Sequence, residues 1–255
     1  MAGIKGRWRC PQANPRTRMA DIYIWLVCGW AWLKNRADMT SLPLYIDHFH
    51  LADHLNPDLL RRLHVFQYPT GTPIFAQSGE QQMLYWLVAG KLQVNILHPN
   101  GKYSVLAFLT PLAMVGDLEL FGDEATQTNV ICTEPSTLLG LAKADVLQFG
   151  YDDPRFLRLV ITHLSAKLTA TSHLQSRAVL PLVYQLAAYL LNQPTRADGK
   201  IVLESKADLA AMLGTTSRHL NRTLRHLESE GIIQLEGKTL ILLDLTALRQ
   251  YVSDE

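Results

Sequence analysis

Residues 205–227 read SKADLAAMLGTTSRHLNRTLRHL, and this stretch decides the fold of the C-terminal part of the chain. Ser205 is placed to cap a helix, with Asp208 three residues on at the helix's positive end. Ala207, Leu209, Ala210 and Leu213 supply an inner face, and the small Ala210 and Ala211 let a second helix cross closely. Gly214 then ends the first helix, because glycine takes the left-handed conformation of a tight turn without strain. Thr215 and Thr216 offer hydroxyl caps to a second helix, in which Leu220, Leu224 and Leu227 recur at spacings of four and three. Helix, glycine turn and helix over so short a span make a helix-turn-helix. An ordinary helical hairpin with a solvated basic face has the same pattern, and the next segment separates the two. GIIQLEGKTLILL, residues 231–243, gives two strands about Glu236–Gly237, the wing of a winged helix.

A helix of this kind fits the major groove of double-stranded DNA, where its early residues reach base edges and arginine pairs bidentately with guanine. Thr216, Ser217, Arg218, His219, Asn221 and Arg222 are therefore the candidates that face bases. Lys206 and Arg225 are better placed for phosphates, which fix register without reading sequence. The net charge of +1 argues against such a partner only if charge is spread evenly. It is not: Arg218, Arg222 and Arg225, interleaved with His219 and His226, form the densest basic cluster after residue 38.

Working upstream, Pro181 opens a helix over Leu182–Leu191, followed by a polar loop at 192–199 and a short strand at Ile201–Leu203. Before it, residues 154–178 read as one long helix. Leu157, Ile161, Leu164, Leu168 and Thr171 recur along it at steps of three and four, an apolar seam that must be buried. Its own barrel or the same helix of a second subunit would each cover it; a reader of palindromic DNA needs two heads, which favours a homodimer.

Between Val65 and Leu147 the texture changes to short apolar runs separated by turn residues. The runs are Pro73–Ala76, Met83–Val88, Lys91–Leu97, Ser104–Leu109, Asn129–Cys132 and Thr137–Leu141, with Asn100–Gly101 a strong hairpin signal. Such spacing implies an antiparallel barrel or sandwich able to enclose a ligand. Residues 42–63 have the pattern of an amphipathic helix. The fold class expected is thus α+β: an N-terminal antiparallel β-roll, a long dimerisation helix and a C-terminal winged helix-turn-helix. Boundaries fall at 1–38 for an N-terminal extension, 39–150 for the roll, 151–180 for the long helix and 181–255 for the reading head.

The extension is basic and leads into the apolar run IYIWLVCGWAWL, residues 22–33. Twelve residues fall short of the roughly 20 of a spanning helix. The run is read as upstream of a natural start at Met39, with a membrane-peripheral anchor as the alternative. Cys10, Cys28 and Cys132 form no zinc pattern or disulfide framework, and a reducing cytoplasm is the simplest setting. His50 and His54 would share a helix face, yet no third ligand accompanies them. A cupin-like enzyme using His48, His50, His54, His64 or His98 is disfavoured, since most of these precede the barrel. No catalytic triad, phosphate loop or carboxylate pair is present, so an enzyme is not expected.

The succession of barrel, long helix, helix-turn-helix and wing resembles the Crp–Fnr superfamily of bacterial transcription regulators over roughly residues 45–243. MVGDLELFGDEATQTN, residues 114–129, looks like the family's phosphate-binding cassette, and LGTTSRHLNRTLRHLESEGIIQLEGKTLIL, residues 213–242, like its recognition helix and wing. The Ser-Arg-His-Leu run and the poor cassette are most similar to YeiL-like members. The resemblance implies a cyclic-nucleotide-binding-like jelly roll, a palindromic operator, and contact with RNA polymerase if the protein is an activator.

It also implies an effector pocket at Gly116, Asp117, Leu118, Gln127 and Thr128. Where cyclic-AMP-binding members carry Gly-Glu for the ribose and Arg-Ser for the phosphate, this chain has Gly116–Asp117 and Gln127–Thr128. A buried phosphate needs a charge-assisted partner, which Gln127 cannot supply, so cyclic AMP is not expected to bind. The sparse cysteines argue against an iron–sulfur cluster, and no histidine stands out as a haem ligand. An unidentified small-molecule effector, or a barrel kept only as a platform, both fit. A membrane-peripheral sensing module acting through protein contacts is the alternative function, but it leaves residues 205–227 unused.

Overall fold

The computed structural model describes residues 42–122, 125–196 and 199–253. The 1–38 extension, Cys10, Cys28, the apolar run at 22–33 and Met39 lie outside the described residues.

The segment 42–63 is not one helix. It forms α1 (Leu42–His48), a single 3-10 turn (Leu51–Asp53) and α2 (Pro57–Arg62). His50 sits in the left-handed region at φ 51°, and Pro57 forces the residue before it out of helical conformation. His50 and His54 therefore do not lie on successive turns of a shared helix. Among the described residues, no group of three or more His, Cys, Asp or Glu is placed to hold a metal.

Asn56 explains why the chain restarts where it does. Its Oδ1 accepts from the N–H groups of Asp58 and Leu59, both at 3.0 Å, and caps α2. Its Nδ2 donates to the Phe149 carbonyl at 2.7 Å and to Asp153 Oδ2 at 3.0 Å. Asp153 in turn caps the long helix α5 (Pro154–Arg177), accepting from Arg155 N–H at 2.9 Å. Burial pushes the Asp153 carboxyl up, but the bonds from Arg155 and Asn56 outweigh it and hold the group below its ordinary value. One amide thus ties the starts of two helices together. Asn56→Ala is expected to cost about 1–3 kcal/mol, a lost cap plus a lost bond to a carboxylate. Urea unfolding should show a lower midpoint at unchanged slope.

The roll consists of two four-stranded antiparallel sheets. One has the order β1 (His64–Tyr68), β8 (Ser136–Ala142), β3 (Met83–Ala89), β6 (Met114–Val115). The other runs β2 (Pro73–Phe75), β7 (Asn129–Cys132), β4 (Leu92–Leu97), β5 (Tyr103–Leu109). Strand β3 is apolar on both faces because both are covered. Leu84, Trp86 and Val88 join Tyr45, Leu59 and Phe156 in a core beneath the helices. Tyr85 and Leu87 join Phe75, Leu92 and Val130 in the core of the roll. Gly140 on β8 pairs with Tyr85, and a Cβ there would strike the rings of Tyr85 and Phe66. The short helices α3 (Leu118–Phe121) and α4 (Lys143–Phe149) complete the domain.

Helix α5 buries Phe156, Leu159 and Val160, with Leu157 and Leu164 packed against the same core. Beyond it the reading head comprises α6 (Leu182–Leu191), β9 (Lys200–Val202), α7 (Lys206–Met212), α8 (Ser217–Ser229), β10 (Ile233–Glu236), β11 (Thr239–Leu242) and α9 (Leu245–Ser253). The expected two-stranded wing is joined by β9 into a sheet of order β10-β11-β9.

Candidate nucleic-acid interface and sensor pocket

Both helix caps of the reading head form as the residue types require. Ser205 Oγ accepts from Asp208 N–H at 3.1 Å, and Thr216 Oγ1 accepts from His219 N–H at 3.2 Å. Between them Gly214 takes φ 61° and turns the chain. Leu220, Leu224 and Leu227 are buried against Leu209, Ala210, Leu213, Leu186 and Ile233. Ala207 is an exception to the inner face read from the sequence: it is exposed, since Leu209 and Ala210 already fill the side of α7 that meets α8.

The opposite face of α8 is open. Ser217, Arg218, His219, Arg222 and Arg225 are exposed, Asn221 is half-buried, and Thr216 and Lys206 are exposed beside them. Arg218, Arg222 and Arg225 stand at steps of four and three, so they share one side of the helix. Acidic residues gather only at the far end, where Glu228 Oε1 accepts from Leu235 N–H and Glu230 accepts from Tyr251. The result is a short, strongly amphipathic helix with its cations facing solvent and its leucines locked in a core.

The residues read as a pocket are arranged differently. Gly116 is buried at φ 88°, against the Met83 carbonyl. Asp117 is buried as well, its side chain only 2% exposed, and Lys167 Nζ on α5 donates to both of its oxygens at 2.6 and 2.8 Å. His163, one turn earlier on α5, is pushed below its ordinary pKa by burial, with the charge of Asp117 opposing the shift. Leu118 is exposed, Gln127 is exposed with its Nε2 turned to the Ala125 carbonyl, and Thr128 is half-buried. Asp117 thus already has a cation on both oxygens, and Gln127 carries no charge.

The head also rests on the roll. Tyr103 Oη on β5 donates to Asp208 Oδ1 on α7 at 2.9 Å, and Lys91 forms an ion pair with Glu204 in which both side chains are nearly buried. Gln93 and Asn95 of β4 are buried although they alternate with the core-facing Leu92 and Val94, and Gln93 Nε2 has no hydrogen-bond partner among the described residues. A cleft of about 250 Å³ at this junction is lined by residues of both parts, among them Lys91, Glu134, Arg196 and Val202. Lys167, Lys91 and Tyr103 were not singled out from the sequence. An isolated lysine or tyrosine carries no periodic signal, and the partner in each case is more than 40 residues away.

Two family profiles match this architecture part by part. That of the cyclic nucleotide-binding domain covers residues 65–151, and that of the Crp-like helix-turn-helix domain covers residues 184–251. The chain belongs to the Crp–Fnr family. It is a DNA-binding transcription regulator of that type.

Among its relatives in the family, the cAMP-activated global transcriptional regulator CRP of Salmonella typhimurium is 25% identical over 193 residues, spanning 72% of this chain and 91% of the relative. The cyclic AMP receptor protein of Thermus thermophilus is 28% identical over 188 residues, or 72% and 85% of the two chains. Solved structures of the family share the fold. The c-di-GMP-responsive regulator CLP of Xanthomonas campestris superposes with a TM-score of 0.65 at 21% identity, covering 73% of this chain and 97% of that one. FixK2 of Bradyrhizobium japonicum gives 0.67 at 18% identity, with 74% and 96% covered. Among the described residues no helix is long and apolar enough to cross a membrane.

Proposed function

We propose that this family member acts as a homodimer that reads a palindromic operator with α8, and that its roll does not respond to cyclic AMP. The observation that carries the DNA reading is the exposed face bearing Arg218, Arg222 and Arg225. Arg218 and Arg222, with Thr216, Ser217, His219 and Asn221, face bases; Lys206 and Arg225 hold phosphates. The poor cassette and the Ser217–Leu220 run favour a reading as a YeiL-like member.

Support for the dimer comes from α5. Leu157 and Leu164 are taken up by the chain's own core, whereas Ile161 and Leu168 are 61% and 69% exposed and Thr171 lies on the same open side. Large apolar side chains seven residues apart on one long helix suit a second copy of that helix. The state of the roll is passed along α5 to the spacing of two recognition helices. An effector can drive this only if it binds one arrangement more tightly than the other.

Where the resemblance implies Gly-Glu and Arg-Ser for a cyclic nucleotide, this chain has Gly116–Asp117 and Gln127–Thr128. Its effector is another small molecule, or the roll serves as a platform only. Cys132 is buried and its thiol pushed up by that burial, which argues against cluster ligation. The protein works in the cytoplasm, and it contacts RNA polymerase if it activates. Titration calorimetry with cyclic AMP is expected to give no binding heat at millimolar ligand; micromolar affinity would overturn the reading of the pocket.

A further inference from the structure

We infer that Lys91 and Tyr103 of the roll are positioning residues for DNA reading, clamping the head so that the roll sets the spacing of the two half-sites. This rests on the reading of the chain as a dimeric operator-binding regulator and deepens it.

Two ties reach from the roll to the start of α7. Glu204 stands between β9 and α7, and Asp208 lies in the first turn of α7. Lys91 Nζ pairs with Glu204, the two side chains being only 10% and 11% exposed. The same ammonium lies 5.5 Å from the centre of the Phe108 ring on β5, which helps to hold it in place. Tyr103 Oη donates to Asp208 Oδ1 at 2.9 Å, and Ser205 Oγ donates to Asp208 Oδ2 at 2.6 Å. In the β4–β5 ladder Leu92 pairs with Leu109 and Leu97 with Tyr103, so the two ties leave the hairpin at opposite ends. Between them α7 packs against β5, where Val105, on the same side of the strand as Tyr103, is buried.

A covalent link alone fixes a domain's position better than its orientation. Here the link is the short turn between α5 and α6, in which Val179 is 87% exposed. Two separated side-chain ties remove rotation about that turn. In a dimer joined through α5, a head fixed on each roll fixes the two copies of α8 relative to each other.

The groups in this contact suit direction more than stability. Gln93, on the same side of β4 as Lys91, is buried with its Nε2 lacking a hydrogen-bond partner among the described residues. Taking a charged pair and an amide out of water offsets much of what their contacts return, while the geometry they require stays strict. One base pair added between half-sites moves them about 3.4 Å apart and turns one by roughly 35°. A clamped head cannot follow that change. A released head can, but it must be ordered on binding.

The probes are the palindrome selected by the unaltered full chain, the same duplex with one base pair added at or removed from its centre, and a single half-site. Fluorescence anisotropy measures their binding to the unaltered chain, to Tyr103→Phe and to Lys91→Met/Tyr103→Phe/Glu204→Gln, which leaves neither charge buried alone. The unaltered chain is expected to bind the altered spacings roughly tenfold or more weakly than its own palindrome. In the triple variant that ratio is expected to fall to about threefold or less, with weaker binding of the palindrome and unchanged binding of the half-site. Tyr103→Phe, which removes one hydroxyl from a side chain 42% exposed, is expected to lie between. Circular dichroism checks folding, and where the triple variant is unfolded the Tyr103→Phe ratio alone decides. A ratio unchanged from that of the unaltered chain would overturn the role of the clamp. Equal losses on palindrome and half-site, the mark of a merely structural contact, would do the same, as would tighter binding of the palindrome. Failure of the regulator reading itself would show separately, as absence of specific DNA binding by the unaltered chain.

Discussion

A chain carrying Ile161→Asp and Leu168→Asp is expected to sediment as a monomer and to bind its operator roughly 10²–10⁴-fold more weakly than the unaltered protein. Both side chains are mostly exposed in the single chain, at 61% and 69%, so the substitutions leave the roll and the reading head folded. In a dimer the same positions lie between two copies of α5, where a carboxylate would be desolvated opposite its own image. The loss arises because two recognition helices held together gain from each other's effective concentration, and single heads do not. Sedimentation and fluorescence anisotropy on an operator duplex measure both effects. A double variant that stays dimeric would move the contact elsewhere on the chain.

Arg222→Ala is expected to weaken operator binding by about 1–3 kcal/mol, with the loss confined to sequences that keep the preferred base at one position in each half-site. Arg222 stands one turn beyond Arg218 on the open side of α8, while Leu220 and Leu224 on the other side are buried. Replacing it leaves the core untouched and, on the proposed reading, removes a base contact. Arg225→Ala should behave differently, weakening all duplexes alike and lowering the salt dependence by about one counterion, as befits a phosphate contact. Binding measured across a panel of single-base operator variants and several salt concentrations separates the two. A uniform loss for Arg222→Ala would reassign it to the backbone.

What could be read from the sequence depended on whether a residue's role was local. The helix-turn-helix was legible because its caps, glycine and leucine spacing are all satisfied within 23 residues, and Ser205, Gly214 and Thr216 behave as their chemistry dictates. The hairpin at Asn100–Gly101 was legible for the same reason, its turn closed by bonds between His98, Gly101 and Lys102. The two-residue β6 and the four-residue α3 carry no period to detect. The break in 42–63 was masked because Leu51, Leu55 and Leu59 keep helical spacing although the backbone turns at His50 and Asn56.

In the site, the open basic face was foreseen, since polarity and position on α8 suffice for it. The seam on α5 was foreseen only as a unit, whereas it is divided between the chain's own core and an exposed side. Leu157 and Leu164 turn to the roll because Phe156, Leu159 and Val160 already orient that face inward, leaving Ile161 and Leu168 outside. The ion pair of Asp117 with Lys167 and the bond of Tyr103 to Asp208 join residues 50 and 105 positions apart. Tertiary geometry alone brings such groups together, and it changed the account of the pocket from one lacking an arginine to one supplied with its own cation.

The central claim is that α8 from two copies of this chain reads two related half-sites. Selection of bound duplexes from a random pool by the purified full chain, followed by sequencing and footprinting, tests it most directly. The account predicts a palindrome whose half-sites are centred about one DNA turn, roughly 34 Å, apart and are lost together in Arg222→Ala. Recovery of unrelated sequences, or of a single half-site bound by a monomer, would contradict it.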